Sequence, residues 1–240
     1  IDPAKSHIIL LEYAPRVLGM YSEKLSESAR RQLASLGVDV RTGQKVEEIR
    51  ENEVVVNGQT LHAGTIIWSA GVGATPLTRQ LGVPVDRAGR IMVEADLSLP
   101  GHPSVFAAGD TVALKDTEGK WVPGVAPAAM QMGSYLAALL ESELNAAATH
   151  SQPPLRKAFA YRDKGSMATI GRSKAVAALA GLEFSGRPAW LAWLGVHLLF
   201  LVGFRSKLSV LMQWIYSYFT FQRGARVITG APPPSPPQFP

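Results

Sequence analysis

Two acids stand where a chain of alternating strands and helices can do chemistry. One is Asp110, in the stretch PSVFAAGDTVAL at residues 103–114. Five residues that suit a buried strand run into Gly109-Asp110, and no cation follows before Lys115. A carboxylate in so apolar a setting needs donors, or its desolvation costs several kcal/mol. A chain of sugar-alcohol hydroxyls supplies such donors, and Gly109 lets a ligand come close to the backbone. An Asx-turn uses the same residue without any ligand, and the local sequence leaves both readings open. The other acid is Glu12, which ends the apolar run HIILL at 7–11. At the end of the second strand of a doubly wound nucleotide unit, an acid accepts hydrogen bonds from the adenosine ribose and repels a 2′-phosphate. A solvated strand-end Glu is the alternative.

The elements that must place these acids are legible in outline. Residues 22–36 read as a helix: Ser22 is a natural N-cap, Glu23 lies in the first turn, and Leu25, Ala29, Leu33 and Leu36 recur at helical spacing. Gly37 suits the residue after its end. Strands are expected at 38–40, 45–50, 53–56 and 59–62, the last two joined by Asn57-Gly58, a type I′ hairpin signal. TIIWSAG at 65–71 reads as another strand. The first 75 residues therefore read as the second half of a doubly wound nucleotide fold with a β-meander inserted. Gly71-Val72-Gly73 does not replace the missing glycine-rich turn, because it lacks the third glycine. A strand is expected at 90–94, and a helix at about 127–146 whose free N–H groups can face a polar ring edge. Further strands are expected over 159–184, FAYR at 159–162 among them.

Composition narrows the classes. At 240 residues with no cysteine, the chain has neither disulfides nor a thiolate metal site, and its five His are scattered. Charge is uneven. Residues 1–150 carry thirteen Lys and Arg against seventeen Asp and Glu; residues 151–240 carry eleven against two. The cations of that last part flank Trp and Leu runs and do not form a polar stripe. Anionic lipid suits them better than nucleic acid. Residues 188–204 and 208–222 lack formal charge, and both are shorter than the roughly 20 residues a spanning helix needs. Trp190, Trp193, Trp214, Tyr216 and Tyr218 read as an interface belt. Ser206, Ser209, Gln213, Ser217 and Thr220 draw a narrow polar stripe, as on a helix lying in a membrane surface. A pair of core or homodimer-interface helices is the alternative. APPPSPPQFP at the end reads as a disordered tail.

Four stretches, TIIWSAGVGATPL, PSVFAAGDTVAL, PGVAPAAMQMGSYLA and FAYRDKGSMATIGRSKAVA, occur in this order. Together they resemble the C-terminal half of type II NADH dehydrogenases, single-subunit FAD-dependent NADH:quinone oxidoreductases. The resemblance covers residues 1 to about 229. It implies an α/β chain, part of a flavoprotein with two Rossmann-like dinucleotide-binding domains and a C-terminal membrane-docking helical segment. Residues 1–75 would end the NADH domain, 76–150 the FAD domain, 151–229 would dock, and 230–240 would be the tail. Asp110, with Gly109, would bind the ribityl and phosphate region of FAD. Ala70 and Gly71 would lie by the nicotinamide, Glu12 would hold the NADH ribose, and Lys164 would counter charge on a reduced flavin or quinone. Ala126 and Gln131 match the quinone-side motif AQxAxQ, but Pro127 stands where its first Gln would be. Hydride would pass from NADH to flavin and electrons on to a membrane quinone, without proton pumping, at the cytoplasmic face of a bacterial membrane. The pattern begins in mid-domain and no signal peptide precedes the first strand, so the chain is expected to be a fragment, inactive alone. Two other readings are a sulfide:quinone or ferredoxin reductase-like flavoprotein, and a non-catalytic membrane-binding or dimerisation module.

Overall fold

The computed structural model describes residues 6–69, 71 and 73–220; Ala70, Arg223, Arg226 and the Pro-rich end lie outside them. Along the chain run β1 (Ile8–Glu12), α1 (Glu23–Ala34), β2 (Val38–Thr42), β3 (Val46–Arg50), β4 (Glu53–Val56), β5 (Gln59–His62), α2 (Leu77–Gln80) and β6 (Ile91–Met92). Then come β7 (Ser98–Leu99), β8 (His102–Phe106), a 3₁₀ turn (Gly109–Thr111), β9 (Val112–Ala113) and α3 (Ala126–Ala148). β10 (Ser166–Gly171), β11 (Lys174–Leu179), β12 (Leu182–Ser185), α4 (Arg187–Phe200) and α5 (Phe204–Thr220) complete the order. The chain divides into two compact units, one of residues 1–62 with 165–240 and one of residues 63–164.

In the first unit β1 and β2 pair in parallel, Glu12 opposite Thr42. α1 crosses between them, capped where the sequence predicts: Ser22 Oγ accepts the Leu25 N–H at 3.3 Å. Leu25 and Ala29, one helical turn apart, are buried. β3, β4 and β5 form the expected meander, and Asn57 and Gly58 both take positive φ at its hairpin. The antiparallel sheet β10-β11-β12 is covered on both faces. Val176, with Ala168, Ile170 and Ala178, packs toward α1, while Ala175 and Ala177, with Met167 and Leu179, pack against Ala189 of α4. The two-residue period of a strand separates these sets. The expected boundaries at 75 and 150 therefore differ from the observed division, because Val176 puts the last strands into one core with α1.

The second unit is built round Leu97, Val112, Leu114, Val122, Ala128, Met132 and Phe159. Here three expectations are corrected. TIIWS at 65–69 forms no strand; no described segment pairs with it, and Ile67 and Trp68 are exposed. The strand before Asp110 is not buried: His102, Pro103, Ser104 and Val105 are exposed, and β8 pairs only with β7. FAYR is not a strand either, since residues 151–165 have no regular secondary structure. They are fixed all the same. Arg156 reaches Glu143 at 2.6 Å, Asp96 at 3.0 Å and the Pro103 carbonyl at 2.6 Å. The Phe159 N–H donates to Ala95 at 2.8 Å, and the Tyr135 hydroxyl to the Lys157 carbonyl. The backbone bonds that a strand would give to a neighbouring strand go largely to helix side chains.

Gly165, which begins the return into β10, is fixed by sterics. Its φ is +93°, and a Cβ there would stand 2.1 Å from the Ala178 carbonyl oxygen. Gly181 has φ +79° with open space around it. Gly165→Ala should cost about 3 kcal/mol or more, and Gly181→Ala about 1 kcal/mol. Urea midpoints of the two variants test this; equal shifts would contradict it.

Candidate functional site

Residues Ala107 to Leu114 make a turn that the core grips from one side. Val112, Ala113 and Leu114 are buried. Gly109 takes φ +82°, a conformation that side chains resist, and its N–H points at the Met132 sulfur, 3.3 Å away. A Cβ on Gly109 would touch Ala129 at 3.7 Å, so the first turns of α3 lie against this turn. Asp110, next in the chain, is exposed and makes no hydrogen bond or ion pair with the described residues. The expectation of a buried carboxylate is thus corrected: the side chain stands on the outer side of the 3₁₀ turn, with Gly124 nearby.

α3 starts at Ala126 behind an extended Val125 that lends no side-chain cap, and its first turn carries no acid. Ala128 and Ala129 both donate to the Val125 carbonyl, and Pro127 has no N–H. The Ala126 N–H is left at the positive end of a 23-residue helix. Gly109, Asp110 and Ala126 are therefore brought together in the second unit. Gln131 has another engagement. Its Nε2 donates to the Arg162 carbonyl at 3.0 Å and its Oε1 accepts the Arg162 N–H at 3.0 Å. Lys164, two residues on, is exposed.

Glu12 lies in the first unit, at the C-terminal edge of the parallel pair, where open α/β sheets bind ligands. It is half-buried, and its Oε1 accepts the Ala14 N–H at 2.8 Å. One oxygen thus shapes the turn, as an ordinary strand-end acid does. A cavity of about 410 Å³ beside it is lined by Arg16, Ser26, Glu27, Arg30 and Thr42, among others. Arg16 and Thr42, which the sequence reading passed over, line this cavity, one just beyond Glu12 in the chain and the other paired with it across the strands. Of the nicotinamide-side pair, Ala70 lies outside the described residues; Gly71 is exposed with φ +88°. No group of three or more His, Asp and Glu that could hold a metal occurs among the described residues.

Residues 3–133 match the pyridine nucleotide-disulphide oxidoreductase family model. The chain belongs to this family. Residues 164–223 match the NDH2 C-terminal domain. A type II NADH:quinone oxidoreductase of Mycobacterium tuberculosis is 41% identical over 238 residues, 95% of this chain and 50% of the relative. A second from the same organism is 37% identical over 95% of this chain and 49% of the relative. The chain spans about half the length of the curated relatives it matches. A solved NDH2 of Plasmodium falciparum in complex with NADH shares the fold, with a TM-score of 0.79 and 17% identity over 92% of this chain and 59% of that one. The family resemblance drawn from the four sequence stretches therefore holds. The disulphide of the family's name has no counterpart here, since the chain has no cysteine.

The geometry of this family member also fixes a pH response. Burial raises the Asp96 carboxyl, but hydrogen bonds from the Ser98 hydroxyl and N–H and from Arg156 outweigh it and hold the group below its ordinary value of 3.8. A depressed carboxyl contributes stability above its unfolded pKa and loses it as pH falls through the folded one. Asp96→Asn should remove that part of the acid-side loss. Urea midpoints from about pH 6 down to about pH 3 should fall less steeply in the variant; parallel slopes would refute the assignment.

Proposed function

We propose that this chain supplies the flavin-gripping, coenzyme-ribose and membrane-docking parts of an NADH:quinone oxidoreductase, acting within a polypeptide of its relatives' length. The observation that carries this reading is the Asp110 carboxylate, exposed and without a protein partner, on a turn locked by Gly109 against α3. A carboxylate so placed suits hydroxyl donors and repels phosphates, which matches the ribityl arm of FAD. The Ala126 N–H and the positive end of α3 suit an electron-rich ring edge. When bound, FAD would supply the redox chemistry, taking hydride from NADH and passing two electrons to a quinone. The residues of this chain hold and orient. Glu12 accepts from the NADH ribose and disfavours a 2′-phosphate. Gly71 keeps the approach to the nicotinamide free of side chains, and Lys164 balances negative charge on the reduced acceptor.

Docking rests on α4 and α5. Neither is long and apolar enough to cross a membrane, nor is any other helix of the described residues. At 1.5 Å per residue α5 reaches about 26 Å, short of a hydrocarbon core of about 30 Å. Its half-buried face is Lys207, Val210, Trp214 and Ser217. Phe200, Phe204, Met212 and Phe219 are exposed, which suits a helix pair lying in the cytoplasmic surface of a membrane. The Trp rings do not form the outward belt expected of them. Trp193 stacks on His197 at 4.0 Å and meets Trp214 at 5.8 Å, and Trp190 meets Tyr218 at 5.4 Å. They bind the two helices together and leave the outer face to aliphatic and Phe side chains.

Two tests follow, both in the full-length polypeptide. Asp110→Ala should lower FAD occupancy at purification at least about tenfold in affinity, the worth of one charge-assisted hydrogen bond. An unchanged flavin-to-protein absorbance ratio would remove Asp110 from the flavin site. Replacing Phe200, Phe204 and Phe219 together by Asp should abolish co-sedimentation with anionic vesicles while circular dichroism stays unchanged. Vesicle binding that survives would leave α4 and α5 as a protein–protein surface.

A further inference from the structure

Gln131, Tyr135 and Glu143 lie at multiples of four residues along α3, on one face, and each holds a different residue of the segment that follows. Glu143 holds Arg156, Tyr135 holds Lys157 and packs edge-on to Phe159 at 5.7 Å, and Gln131 brackets Arg162. The lengths agree. Twelve helical residues rise about 18 Å, and six extended residues cover about 20 Å. The segment therefore runs antiparallel to α3, toward the helix end where Ala126 and the Asp110 turn lie.

The last tie differs in kind. A carboxamide that donates to a carbonyl and accepts from the N–H of the same residue reproduces one rung of an antiparallel ladder. Both bonds at 3.0 Å fix the amide orientation, because a flip would oppose two donors and two acceptors. The ring of Tyr135 and the carboxylate of Glu143 hold the segment in place, and Gln131 pins both backbone groups of Arg162, two residues before Lys164.

We propose that Gln131 is a positioning residue: its carboxamide, spent on the Arg162 backbone, delivers Lys164 to the N-terminal end of α3. This rests on the role given to Lys164 in the functional reading above. It assigns Gln131 a part in quinone reduction that acts through the backbone and not by touching the quinone.

The test is a double-mutant cycle in the full-length polypeptide, with a soluble quinone analogue as acceptor. Gln131→Met, which keeps the volume and loses both bonds, should speed amide hydrogen exchange at Arg162 and lower kcat/KM for the quinone about tenfold. Lys164→Ala should lower it at least as much. The double variant should match Lys164→Ala within about twofold, because residues that act as a unit are not additive. Gln131→Glu adds a pH signature. Its ionised form opposes the Arg162 carbonyl, and protonation restores the donor, so its quinone activity relative to wild type should recover as pH falls. Multiplying losses, an unaffected Lys164→Ala, or unchanged exchange at Arg162 would each overturn the positioning role. A wild-type protein that reduces ferricyanide with NADH but no quinone would instead overturn the functional reading, with the Arg162 exchange result standing apart from it.

Discussion

A carboxylate that takes no bond from the described residues of its own chain is the constraint on which the candidate site depends. Asp110 escapes a desolvation penalty because it is exposed, so its position needs no internal partner to be stable. What needs explaining is the turn beneath it. Gly109 accepts a left-handed φ, and Val112, Ala113 and Leu114 enter the core immediately afterwards. With its carbon skeleton anchored on one side and packed on α3 on the other, the turn cannot swing the carboxylate toward a local donor. Such rigidity costs little here because Gly carries the unusual dihedral. In the proposed flavin role, the same rigidity would lower the ordering cost of binding.

Legibility in the sequence followed the range of the forces involved. α1 was readable to within two residues because its determinants are local: an N-cap at Ser22, apolar residues at helical spacing, and Gly37 beyond the end. The 53–62 hairpin was readable for the same reason, since Asn57-Gly58 selects its turn. FAYR alternates like a strand, yet its backbone bonds go to the Gln131 carboxamide of α3, about thirty residues upstream, and to the Ala95 carbonyl further back, distances at which no period speaks. TIIWS has strand composition and no pairing segment among the described residues, and propensity alone does not hold a strand together. At the site, Gly109, Asp110 and Ala126 were legible as a group because a glycine-acid pair and a helix start are local signals. Thr42 was not, because only the parallel pairing of β1 with β2 places it beside Glu12.

Charge in the C-terminal third illustrates how a composition signal leaves out what each cation does. Eleven Lys and Arg face two acids there, which reads as an anion-seeking surface. Several of these cations have internal duties. Arg172 donates to the Tyr218 and Ser217 carbonyls at the end of α5 and lies over the Tyr218 ring. Lys207 donates to the Leu199 carbonyl at the end of α4. Each meets a helix C-terminus, which carries about half an elementary negative charge. Capping at that strength leaves about half of each cation's charge in play, so the two duties are compatible. The same residues that close the helix ends also keep the outer surface basic.

That compatibility bears on why the helix pair is short. A pair that had to cross a bilayer would bury its end cations at great cost or lengthen until they cleared the core. α4 and α5 do neither: their ends are capped by Lys207 and Arg172, and Trp190, Trp193, Trp214 and Tyr218 pack across the pair. What remains outward is mainly aliphatic, Phe and Met side chains with Tyr216, a face that suits the headgroup boundary proposed for it. The sheet behind them cannot be exposed in exchange, because Ala175 and Ala177 of β11 have only small side chains and rely on Ala189 of α4 for cover. The face proposed for docking and the structural core are thus two sides of one helix, and a change that strips the exposed side must leave Ala189 in place.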